Sequence, residues 1–187
     1  MKKLFVLMSF IALGVGSVFA QKGEKAVGVN LGYGTEISNL GIGAKFQYGI
    51  TDAIRTEASF NYFLKKDGAN MWDVNVNAHY LFPIADKFKV YPLVGLTYAN
   101  CKVDMGWSVE GMSPEDIQDL IDAGIIEDAS EVTGETSSES EGRVGVNLGA
   151  GIQYDLSSKI AINFEVKYQL IKDFNQAVFG VGIAYKF

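Results

Sequence analysis

The side chains able to do chemistry are few and widely spaced. There is a single histidine, His79, and a single cysteine, Cys101. A catalytic nucleophile needs a base within hydrogen-bond reach and a third group to orient that base. His79 falls near one end of its strand, on the face opposite the apolar one, so no Ser-His-Asp constellation can be built around it at the far rim, and it reads as a hydrogen-bonding filler. His79 and Cys101 do not make a metal site by themselves. No catalytic residue, metal ligand or cofactor is therefore assigned. The remaining candidates are charges: Lys45, Arg55, Glu57, Asp73, Lys89, Glu165 and Lys167. Each stands between two residues of an uncharged apolar face. Such charges can line a gated ion path, or they can form a plug of ion pairs and amides that fills an interior. Buried charges need partners, which favours the plug. Lys45 and Glu57 flank the Thr51-Asp52 turn, where a hairpin can bring them face to face. Arg55 would then sit beside Gln47, and Glu165 and Lys167 would share one wall.

The elements that hold these charges follow from period-2 alternation, the signature of a strand with two unlike faces. Val27, Val29, Leu31 and Tyr33 oppose Gly28, Asn30 and Gly32. Leu40 to Gly49 and Ile54 to Tyr62 repeat the pattern, as do Trp72 to Phe82, Val144 to Tyr154 and Ile160 to Tyr168. Phe88 to Tyr98 also fits, although Pro92 cannot donate to a ladder and predicts a bulge or local irregularity there. The last strand places Phe179, Val181, Ile183, Tyr185 and Phe187 on one face. Pro83 to Lys87 reads as a turn. The result is about eight strands of roughly 10 residues, the length that crosses a bilayer when tilted. Short turns alternate with longer polar connections.

Two features decide which face points outward. The apolar faces carry no charge, while the other faces are dominated by Gly, Asn, Gln and Ala, too weakly charged for a soluble exterior. Aromatics also gather at the ends of the apolar faces: Tyr48, Tyr80, Phe88 and Tyr154 at one end, Tyr33, Tyr62, Trp72 and Tyr98 at the other. Aliphatic residues fill the middle, giving two aromatic girdles about an apolar band. A soluble barrel with its apolar face inside is thereby disfavoured. The fold expected is all-β: an up-and-down, eight-stranded antiparallel transmembrane barrel.

The first residues, MKKLFVLMSFIALGVGSVFA, have a basic start, an apolar run and small residues at Val18 and Ala20. They read as a signal peptide over 1–20, leaving a barrel over 21–187. Gln21 is not a lipid-anchor cysteine. The net charge of -6 argues against nucleic acid. Glycine without proline, 21 residues against 3, suits closely packed strands.

With the leader, the alternating strands and the terminal aromatic in hand, the chain resembles the small bacterial outer-membrane β-barrel family of the OmpA-barrel and OmpX type, often described as the porin family. The resemblance is architectural and carries over no site residues. It implies residence in the outer membrane of a Gram-negative envelope, contact with its lipid, and a monomer with both termini in the periplasm. It also implies that Phe179, Val181, Ile183, Tyr185 and Phe187 form the signal read by the barrel-assembly machinery. Some members are lipid-active enzymes, which need acid-base or nucleophilic groups near the outer rim, far from His79. A narrow pore for ions or small solutes is the main alternative to a structural or surface-interaction role.

Residues 100–142, between strands five and six, form the most individual segment. From Asn100 to Glu141 there are 12 acidic residues and one basic, a net charge of -11. The topology makes this loop extracellular and a candidate surface for an unidentified partner. Ser113-Pro114-Glu115-Asp116 is a helix start, and Gly124 can end the helix. Ile117, Leu120 and Ile121 would share its apolar face, and Trp107 belongs to an alternating run with Val103 and Met105 that extends strand five. These four residues, Trp107, Ile117, Leu120 and Ile121, are the candidate loop contacts. Thr133 to Glu141 reads as disordered.

Overall fold

The computed structural model of the chain describes residues 22–66, 69–105, 114–124, 137–172 and 174–187. Residues 1–21, where the signal peptide is expected, and Trp107 lie outside the described residues.

The strands are β1 (Lys25–Gly34), β2 (Asn39–Gly49), β3 (Ile54–Lys66), β4 (Ala69–Tyr80), β5 (Phe82–Ala85), β6 (Phe88–Met105), β7 (Ser137–Asp155), β8 (Ile160–Ile171) and β9 (Gln176–Lys186). Among the described residues there is one helix, α1 (Pro114–Asp122), between β6 and β7. Its start at Pro114 and the left-handed Gly124 just beyond it (φ 70°) follow the capping residues. Ile117, Leu120 and Ile121 are half-buried on it, while Gln118, Asp119 and Asp122 are exposed.

Every strand pairs antiparallel with its neighbours, and the sheet closes on itself through β1 with β9 and β4 with β6. Eight strands make the wall. β5 is a short ninth piece that continues β4 along β6 in the same register, since His79 pairs with Leu93 and Phe82 with Val90. The break between them falls where Tyr80 meets Pro92. The amide of Leu81 donates to Ala53 at 2.7 Å, so the backbone of Tyr80 faces β6, where proline has no N–H to offer. The irregularity expected in the fifth strand is thus displaced onto its neighbour. β6 itself runs through Pro92 without a bulge, in one register with β7 from Phe88↔Tyr154 to Met105↔Ser137. The turn expected over Pro83 to Lys87 shrinks to Asp86 and Lys87, because Pro83 and Ala85 remain paired.

A second correction concerns the polar run before strand six. Ser137 to Glu141 is not disordered but paired, opposite Cys101 to Met105. The rest of the run expected to be disordered, residues 133–136, lies outside the described residues. Once the membrane portion sets the register, each further rung satisfies backbone groups at little cost.

The tilt follows from the pairing. A circuit from Lys25 through Tyr48, Thr56, Ala78, Val94, Leu148, Tyr168 and Ala177 returns to β1 at Thr35, ten residues further along. With a rise of about 3.3 Å per residue and a strand spacing of about 4.8 Å, that stagger tilts the strands by about 40°. The wall then has an outer face of exposed Val, Ile, Leu and aromatic side chains, such as Leu31 (64%) and Leu96 (61%). Its inner face is buried and mostly polar.

Candidate functional site

The inward side chains stack in layers along the lumen. At the end of the barrel where β1 begins and β9 ends lies an ionic ring. Lys89 contacts Asp155 at 2.8 Å, Lys186 contacts the same carboxylate at 3.1 Å, and Glu24 lies 3.5 Å from Lys186. Asp155 and Glu24 escape a reading by faces because they sit at strand ends. Parity there is hard to distinguish from a turn.

Above the ring, Tyr91 lies across the lumen. Its ring stacks on His79 at 4.8 Å, receives Arg55 over its face at 5.2 Å, and its hydroxyl donates to Glu165 at 3.2 Å. It fits because Gly151 has no side chain: a Cβ there would fall 2.4 Å from the ring. Arg55 pairs across the wall with Gly49, not Gln47, and donates to Gln153 at 2.6 Å and to His79 Nδ1 at 3.0 Å. The expectation that Arg55 sits beside Gln47 is therefore corrected. The register puts Glu57 opposite Gln47, and the longer arginine turns the other way along the lumen.

Next comes the charge layer. Lys45 and Glu57 are one diagonal step apart, with Nζ 3.6 Å from Oε2. Their closer contacts are with amides: Lys45 donates to Asn163 at 2.7 Å, and Gln47 donates to Glu57 at 2.7 Å. Lys167 is buried beside them and lines the same small cavity as Lys45, Glu57 and Glu165. Glu57, His79 and Glu165 bring donor atoms within 4.8 Å of one another. The histidine tautomer decides what that triangle can do. Arginine only donates, so Nδ1 accepts and the ring proton sits on Nε2. A metal at this point would need the Nε2 lone pair, forcing an Nδ1–H against the guanidinium. Each of the three is already engaged by another residue, Glu57 by Gln47, His79 by Arg55 and Glu165 by Tyr91, and with the proton on Nε2 the triangle does not fit a metal centre.

Further up is an amide layer. Asp73, fully buried, accepts from Asn61 at 2.5 Å, Asn75 at 2.7 Å and Gln169 at 3.1 Å. Asn147 bridges Asn75 and Asn77, each at 2.9 Å, and Gln176 donates to Gln169 at 2.7 Å. The lumen ends in an apolar cap of Phe63, Met71, Ala99, Ile171 and Val178. Sequence reasoning missed this cap and Tyr91, although their inward parity was visible.

The geometry is that of a membrane barrel, and the comparisons agree on that fold. A model of the outer membrane protein beta-barrel domain matches residues 8–187. The chain belongs to that family. Among solved structures, the N-terminal barrel of Pseudomonas aeruginosa OprF superimposes with a TM-score of 0.59 at 14% identity, covering 89% of this chain and 98% of that one. Ail, the attachment invasion locus protein of Yersinia pestis, gives 0.56 at 17%, covering 89% and 100%. Ail has also been solved with the heparin analogue sucrose octasulfate. A de novo designed transmembrane barrel gives 0.55 at 14%, covering 91% and 100%. A designed protein matches about as well as the natural ones, so these likenesses establish the fold alone. No curated protein sequence matches. The protein is thus an integral barrel of the outer membrane, with its apolar outer face against the bilayer.

Proposed function

We propose that the protein is a monomeric, non-enzymatic outer-membrane barrel. Its closed lumen serves as a rigid base for the acidic segment 100–142, held at the cell surface. The observation that carries this reading is the contrast between the two parts. Among the described residues, the cavity along Lys45, Glu57 and Lys167 has a volume of about 30 Å³, room for a water or two. The segment with its net charge of -11 stands on a ladder of 18 residues in β6. Function concentrates on segments carried by rigid scaffolds.

The charge selects the partner class. Ail takes a sulfated polyanion analogue, whereas a segment of net charge -11 repels one. The partner is a basic surface, steered by long-range attraction that weakens as salt rises. Ile117 and Leu120 of α1 supply the apolar contact.

The test pairs two measurements. Planar-bilayer recordings of the refolded protein should show no stable open-channel current; a steady conductance would favour the narrow-pore reading. Replacing residues 106–136 by a short Gly-Ser turn should leave a folded barrel and abolish binding of whole cells to a polylysine-coated surface at low salt. Unchanged binding would remove the segment from the function.

A further inference from the structure

We infer that a depression on the outer face of the barrel holds one acyl chain of a membrane phospholipid, in the leaflet nearer the two termini. This rests on family membership and not on the surface role proposed above. Register places Pro92 beside Ala150 on the outward face, with Tyr80 on one flank and Val166 on the other. Two small side chains thus lie next to each other, between the larger Tyr80 and Val166. The next row toward the termini is bulky, with Phe82 and Ile152 in it and Phe164 beside them. These walls enclose an open depression of about 990 Å³, at the upper end of the range for sites that bury a small ligand.

The position and the lining identify the occupant. The depression opens on the face that meets the bilayer, on the half of the barrel nearer the termini. No charged side chain lines it, so a headgroup has nothing to bind there. Bulk lipid tails are as apolar as leucine, so burial from water supplies no preference between this slot and the rest of the surface. The preference comes from shape. A chain lying over Pro92 and Ala150 between fixed aromatic walls gains close contacts on several sides, and each contact is small but they sum. The walls are preformed: Tyr80 and Phe82 pack at 4.6 Å, and Pro92 fixes its own backbone. The chain therefore stays with the protein when surrounding lipid is exchanged for detergent.

The experiment is native mass spectrometry of full-length protein extracted from membranes, exchanged into detergent and titrated with palmitoyl-oleoyl phosphatidylethanolamine. The unsubstituted protein should carry one lipid through the exchange and regain one on titration. Ala150→Phe, which fills the slot, should lose it. Ala44→Phe, an outward alanine between Val29 and Phe60, should keep it. Heat-modifiable migration on a gel verifies that each variant is folded; if Ala150→Phe fails to fold, Ala150→Leu takes its place with the same loss expected. Equal retention by all variants overturns the inference. So does a lipid-free dimer that Ala150→Phe disperses, which would make the slot a contact between two copies.

Discussion

Lys45 and Glu57 approach to 3.6 Å inside the barrel, and neither makes its shortest contact with the other. Each is first hydrogen-bonded to an amide, and the ion pair spans the gap between two such bonds. Glu57→Ala should therefore leave a buried ammonium hydrogen-bonded to Asn163 and without its nearest carboxylate. Breaking a buried pair from one side costs about 3–5 kcal/mol, and water in the adjoining cavity reduces this. The midpoint of urea unfolding from lipid vesicles measures it. The double variant Lys45→Met, Glu57→Met should recover most of the loss, because an apolar pair leaves no charge behind. A double variant as unstable as Glu57→Ala alone would show that the ion pair is not the relevant unit.

Asp73 is held by amides. Three N–H groups converge on its carboxylate from Asn61, Asn75 and Gln169. Asp73→Asn replaces one acceptor oxygen with a donor and sets it against another donor. Hydrogen bonds to a charged group contribute about 1.5–3 kcal/mol each. A loss of about 2 kcal/mol in the same unfolding assay is expected, with a folded barrel retained. No measurable loss would mean that the amides simply reorient.

Gly151→Ala should push Tyr91 off its seat. The added Cβ would meet ring atoms at 2.4 to 2.7 Å, and His79 lies stacked on that ring at 4.8 Å. Overpacking of this kind costs about 1–3 kcal/mol. Combining Gly151→Ala with Tyr91→Ala should give less than the sum of the two losses, since the second substitution removes the clash. Strict additivity would count against the contact.

Phe187 closes the seam, donating its amide to Lys25 at 2.8 Å while its ring stays 63% exposed. We propose that it acts in assembly more than in stability. Deleting it removes a terminal rung, a net effect of about 1 kcal/mol, so refolding in vitro should change little. The amount of folded barrel in cells should fall markedly on immunoblots of unboiled samples. Normal cellular levels would refute the assembly role.

The sequence by itself determined which side of each strand faces lipid. Side chains alternate with a period of two residues, so one buried face specifies parity, and a slip of one residue would turn every side chain over. Leu31, Leu96 and Phe179 are outward, and Asp73, Lys89 and Lys167 inward, as that parity requires. Helix α1 was equally legible, because Pro114 and Gly124 act locally.

Contacts across the lumen were decided only in the tertiary structure. Arg55 reaches Gln153, 98 residues away, and Lys45 reaches Asn163, 118 residues away. Which inward residues share a layer depends on the ten-residue stagger accumulated around the closed wall, a sum over all the pairings that no strand records alone. The same closure gathers Phe63, Met71, Ile171 and Val178 from four strands into one cap. It also displaces the effect of Pro92 onto β4, because a missing N–H is felt by whichever strand lies on the side where it would have pointed.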